Sequence, residues 1–284
     1  MFGKLLKYDM KAIGRFWWIL AVSVLGLSVA GSFALRLLLS NFNNEVFVLF
    51  NILAVLFLVI CIFGMIASVS VIQIFVYIRF YKHFFSDEGY LTFTLPVSRM
   101  KLLTSKTVNA LIWSLLQGAL LTVCVLIFCI ISPPAEGGFL INPVVFETIG
   151  ALFAQVWESI GAWVIVYFLE GMVLVVGLQL FTISLTHFCI TVGAVIAKKH
   201  KVLTAIGIYY LASMVLSFVS QIFFSLAVGG LGIGFSDFMG SMSIGEICLT
   251  VSVILLIVIA AVGAMVSVIF GTTLSQLERK LNLA

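Results

Sequence analysis

The chain has 284 residues, 63% of them hydrophobic and 9% charged, with a formal net charge of +4. Soluble domains average about 45–50% apolar and about 25% charged residues, and a globule of this size cannot hide so much apolar surface, so lipid must be the solvent for most side chains. The bases lie at the ends of apolar runs instead of forming a patch, which argues against nucleic-acid binding.

The first fifteen residues come before any long apolar run. At 100° per residue Lys4, Lys7, Lys11 and Arg15 share one face, and Phe2, Leu5, Leu6, Ile13 and Phe16 occupy the other. This is the pattern of a basic amphipathic helix lying on a membrane surface. Asp9 falls on the apolar face. Either that face meets protein rather than lipid, or the helix ends nearby.

A transmembrane helix needs about 20 apolar residues. Six runs qualify: 16–39, 46–78, 108–131, 161–197, 202–228 and 247–270. The first is longer than the core of a cleaved signal peptide, about 7–15 residues, so a retained helix is expected. The second and fourth exceed one bilayer and must tilt, project into water or include an interfacial piece. With the N-terminus inside, every one of the fifteen basic residues except Arg36 falls in a cytoplasmic segment, as the positive-inside rule requires. Glu45, Glu136, Glu147, Glu158, Asp237 and Glu246 fall outside or at the outer rim. Five or seven spans would break this alternation.

The expected fold is therefore all-α: an integral membrane protein of six transmembrane helices, one domain over 1–284, with both termini cytoplasmic. Residues 143–160 add an amphipathic helix at the outer interface. Its apolar face is Phe146, Ile149, Phe153, Val156, Trp157 and Ile160, and Glu147, Gln155 and Glu158 lie opposite. The Gly-rich stretch 228–245, with Phe235 and Phe238, is a second interfacial candidate.

The link between the second and third spans, 79–106, is too long for a tight turn and too apolar for a solvated linker. Phe84, Phe85, Tyr90, Leu91, Phe93 and Leu95 need somewhere to bury. Pro96 stops any helix at about Leu95, and Ser98 is an N-cap candidate for a helix starting Arg99-Met100-Lys101. Two readings fit these anchors: a docking surface for a soluble partner, or an interfacial aromatic belt.

Motifs separate the two. The run Asp87-Glu88-Gly89-Tyr90-Leu91-Thr92, then Thr94-Leu95-Pro96-Val97-Ser98-Arg99 and Leu102-Leu103-Thr104-Ser105-Lys106, resembles the coupling segment of bacterial ABC transporter permeases of the type-2 exporter class. Tyr90-Leu91-Thr92 departs from the pattern, since many relatives carry Thr directly after the glycine. Gly3-Lys4-Leu5-Leu6-Lys7-Tyr8-Asp9 is similar to the elbow helix that opens such permeases, with Asp9 as its contact residue. The resemblance implies a multi-pass subunit in a bacterial plasma membrane. It would pair with a second permease chain, the same or similar, and bind two copies of an ATP-binding subunit. Coupling would fall to Phe85, Asp87, Glu88, Gly89, Tyr90, Leu91, Leu95, Pro96, Ser98, Arg99 and Lys101, with Phe85, Tyr90 and Leu95 as anchors.

No G-x-x-x-x-G-K-[ST] loop is present, and Gly3-Lys4 follows no strand, so no ATP hydrolysis is expected from this chain. ATP and Mg would belong to the partner, and no cofactor or metal is expected here. The five cysteines fall inside apolar runs without C-x-x-C spacing, as apolar fillers do.

Two ionisable groups fall inside the spans. Glu170 either faces a pathway between helices or sits near the outer interface. His187, with Ser184 and Thr186, either bonds between helices or lies near the inner rim. Gln73, Gln117 and Gln179 read as packing glue. An apolar or amphipathic exported compound, such as a peptide antibiotic or a lipid-like molecule, suits the scarcity of polar groups in the spans. The rival readings are an ATPase-independent channel or scaffold, which leaves 79–106 without a partner, and a membrane-embedded enzyme, for which Glu170 and His187 alone are too few.

Overall fold

The computed structural model describes residues 2–41, 48–86, 89, 94, 96–131, 143–197, 199–232 and 242–279. Among them the chain forms seven helices and no strand: α1 (Phe2–Asn41), α2 (Val48–Phe85), α3 (Arg99–Ile131), α4 (Pro143–Ile160), α5 (Trp163–Ile196), α6 (Lys201–Gly232) and α7 (Ile244–Arg279). All but α4 are long and apolar enough to cross a bilayer, and the chain is a multi-pass membrane protein. Phe235 and Phe238 lie outside the described residues.

Helix ends and apolar runs differ for a physical reason. Hydropathy marks what lipid accepts, whereas backbone hydrogen bonds propagate until a residue stops them. Residues 2–15 accordingly continue into the first span within α1 without interruption. The basic residues of that stretch are exposed, while Asp9 and Ile13 are buried. Of the two readings of Asp9, the structure has the face that meets protein; the helix does not end nearby. At its own C-terminal end α2 likewise runs past its apolar stretch to Phe85.

Two local signals set the remaining boundaries. Gly161 closes α4 in the left-handed region, at φ 57°, its N–H donating to the Trp157 carbonyl at 2.8 Å. Ser243 and Glu246 form a capping box at the start of α7: the Ser243 N–H and Oγ–H both reach Glu246 Oε2, at 2.8 and 2.9 Å, and the Glu246 N–H returns to Ser243 Oγ at 3.4 Å.

The chain divides into two compact units, Met1–Ile78 with Val108–Gln155, and Arg79–Thr107 with Val156–Ala284. In the first, α1 and α2 are antiparallel. Gly31 faces Cys61 and Gly64 faces Leu27, and Phe16 stacks on Phe75 at 4.8 Å. α1 and α3 are parallel: Ser28 Oγ donates to the Cys124 carbonyl at 2.8 Å, and Trp17 Nε1 to Gln117 Oε1 at 3.1 Å. Gln117 also donates from Nε2 to Ser68 Oγ at 2.9 Å. One buried amide therefore joins all three helices, the glue expected of it.

In the second unit α5 packs on both α6 and α7. Gly193 lets α6 approach at Ala205, in an antiparallel pair. The α5–α7 pair is parallel, since contacts advance together along both helices: Tyr167 with Cys248, Glu170 with Ser252, Gly177 beside Val262. Each unit thus has the directions that alternate crossing demands. Most hydroxyls in the spans donate to a carbonyl three or four residues back, as Thr182 does to Leu178 and Ser267 to Gly263. This removes their cost in lipid.

Candidate functional site

The segment between α2 and α3 begins while α2 is still helical. Phe80 and Phe84, one turn apart, are 2% and 0% exposed, with ring centroids 4.9 Å apart. Phe85, expected as an anchor, is half-buried against them. Past the helix end the Gly89 N–H donates to the Ser86 carbonyl at 2.7 Å. The chain folds back so tightly that a Cβ on Gly89 would lie 2.8 Å from the Phe84 carbonyl oxygen. Only glycine fits there.

Asp87, Glu88, Tyr90, Leu91 and Leu95 lie outside the described residues. Thr94, Pro96 and Ser98 are exposed. α3 opens at Arg99, with the Leu102 N–H donating to the Ser98 carbonyl at 3.2 Å, so Ser98 occupies the position expected for a cap. The first turn of α3 is two-sided. Met100 and Lys101 are exposed, whereas Leu102 and Leu103 are buried. The Arg99 guanidinium donates to the Leu277 carbonyl in the last turn of α7.

His187 on α5 meets both ends of the segment. Phe80 stacks on its ring at 3.9 Å and 12°, and Thr107 Oγ1 lies 3.4 Å from Nδ1. The single hydroxyl hydrogen of Thr107 goes to the Leu103 carbonyl at 3.1 Å, which leaves its oxygen to accept from Nδ1. His187 is 2% exposed, with Lys106 buried nearby. One imidazole therefore touches the end of α2 through an aromatic face and the start of α3 through a hydroxyl.

Phe80 and Thr107 were not singled out from the sequence. The available signal was the i, i+4 spacing of Phe80 and Phe84, which extends α2 beyond Arg79.

Glu170, the other intramembrane candidate, is not near His187. The two lie 17 residues apart on one helix, about 26 Å along its axis. Glu170 is 8% exposed, and its Oε1 accepts from Ser252 Oγ at 2.5 Å. One turn before it, Tyr167 Oη donates to the Cys248 carbonyl at 2.9 Å. No group of three or more His, Cys, Asp or Glu side chains with metal-binding proximity occurs among the described residues.

No family model, curated protein or solved structure matches the chain. The functional reading therefore rests on the residues themselves.

Proposed function

We propose that this chain is the membrane-spanning subunit of a bacterial ATP-driven transporter: a permease that exports an apolar or amphipathic compound, powered by a separate ATP-binding subunit. One observation carries the reading. The 79–107 segment is built into the unit that contains α5, α6 and α7, yet presents Thr94, Pro96, Ser98, Met100 and Lys101 to the outside. Force applied to that exposed side reaches α5 through Phe80, Thr107 and His187, and α7 through Arg99 and Leu277.

In this arrangement both termini and the segment are cytoplasmic, following the distribution of bases. The start of α1 projects on the cytoplasmic side as a continuation of the first span, not as a separate surface helix, and α4 lies at the outer interface. A second permease chain completes the pathway, and two ATP-binding subunits, holding ATP and Mg, seat on the paired segments.

The test is purification from native membranes in mild detergent, with and without the exchanges Met100→Glu and Lys101→Glu. Both side chains are exposed, so the fold is expected to survive. An ATP-binding protein should accompany the wild-type chain in equal number and leave the double variant. A particle free of any ATP-binding protein, or a variant that keeps it fully, overturns the proposal.

A further inference from the structure

The seam between α5 and α7 holds a carboxyl that is only half satisfied. Ser252 Oγ donates to Glu170 Oε1, whereas Oε2 is enclosed and has no hydrogen-bond partner among the described residues. Toward the start of both helices the seam is closed by the Tyr167 bond to the Cys248 carbonyl, with the Trp163 ring 6.2 Å from that of Tyr167.

Among the described residues, α5 and the two helices packed on it bring no counter-charge to this oxygen. On α5 the other ionisable groups are Tyr167, His187 and Cys189, the last two about 26 Å or more down the helix. On α7 they are Cys248, the exposed Glu246, and Glu278 and Arg279 at the far end. α6 has none between Tyr210 and Gly232, and its Lys201 lies at the end beside Gly193. In the 79–107 segment, Lys106 lies by His187 and Arg99 by Leu277, at the other end of the seam.

An anionic oxygen shut among apolar helices without a cation is far costlier than a neutral acid with one unpaired O–H. Oε2 is buried and no basic group among the described residues bonds to it. The cation that fits is a proton. We propose that Glu170 is an intramembrane proton-binding site: Oε2 carries the proton, and the Ser252 hydroxyl orients the carboxyl by holding Oε1.

The site can be tested on the full chain in lipid nanodiscs at neutral pH. An apolar carbodiimide reacts with a protonated carboxyl. The acid O–H adds across a C=N bond, oxygen to carbon and proton to nitrogen, and acyl transfer then yields an N-acylurea that retains every atom of the reagent. Mass mapping should find this adduct on the peptide containing Glu170. A water-soluble carbodiimide should modify the exposed Glu158 and Glu246 and spare Glu170. Infrared difference spectra should show a carboxylic-acid C=O band that vanishes in Glu170→Gln, and that moves to higher frequency in Ser252→Ala as its hydrogen bond is lost. An unlabelled Glu170 peptide in the wild type, the absence of an acid band in the wild type, or a band that persists in Glu170→Gln overturns the proposal. The first two readouts need no variant and depend on neither an ATP-binding partner nor transport.

Discussion

Replacing Gly193 with alanine tests the α5–α6 hairpin directly. The new methyl would lie 2.6 Å from Ala205 Cα, 2.7 Å from Ala205 N and 2.8 Å from Ala205 Cβ. Carbon atoms rest comfortably at about 3.5–4.0 Å, so the helices must part by about 1 Å. The two nearest atoms are backbone, and no side-chain rotation can relieve the clash. Overpacking of this kind costs about 1–3 kcal/mol, and this overlap belongs near the upper end. The helix preference of alanine over glycine returns about 1 kcal/mol, which leaves a net loss of about 2 kcal/mol. The assay is unfolding in mild detergent followed by intrinsic fluorescence. Gly171→Ala on α5 and Gly207→Ala on α6 serve as controls, because a Cβ at either position meets nothing within 4 Å. Both should unfold no earlier than the wild type. Adding Ala205→Gly to Gly193→Ala removes only the third clash, so recovery should be minor. The reasoning fails if Gly193→Ala matches the two controls, or if Ala205→Gly restores full stability.

Three further expectations follow from the two units. Gln117→Leu strips the Trp17 indole of its acceptor and cuts the link to Ser68; because membrane hydrogen bonds average about 0.6 kcal/mol, the loss should be roughly 1 kcal/mol by the same unfolding assay. Phe80→Ala removes a buried ring and should cost about 3 kcal/mol. In a double-mutant cycle with His187→Ala the two should couple by about 1 kcal/mol, and strict additivity would refute the stacked contact. Ser243→Ala breaks the capping box, so amide hydrogen exchange should quicken in the first turn of α7 and stay unchanged in α5.

Some of this architecture is readable in the residues because it depends on short-range chemistry. Each of the six apolar runs falls, apart from a few end residues, on a spanning helix, Pro96 and Ser98 precede α3, and α4 covers 143–160. These follow from burial in lipid, proline's missing donor and helical periodicity. Other features depend on which helices meet, and no local pattern carries that. Arg15 and Phe16 belong to one unbroken helix because nothing between them stops the backbone ladder, although the surroundings preferred by their side chains differ. Phe80 is buried while Phe85 is only partly so, because His187, more than a hundred residues later in the chain, covers one of the two.

Gln117 and Glu170 show how far the composition of a span can be taken. Both are polar side chains on apolar helices, and each would be read alone as either glue or a site. Gln117 uses its oxygen on Trp17 and its amide nitrogen on Ser68, so three helices account for it, and its role ends with packing. Glu170 spends one oxygen on Ser252, while its second is buried with no hydrogen-bond partner among the described residues. The two residues differ in whether every polar atom has a partner. In a low-dielectric surround a deficit of one partner is met by a ligand or by a proton. That deficit, which appears only once the helices are in register, distinguishes the carboxyl from the amide.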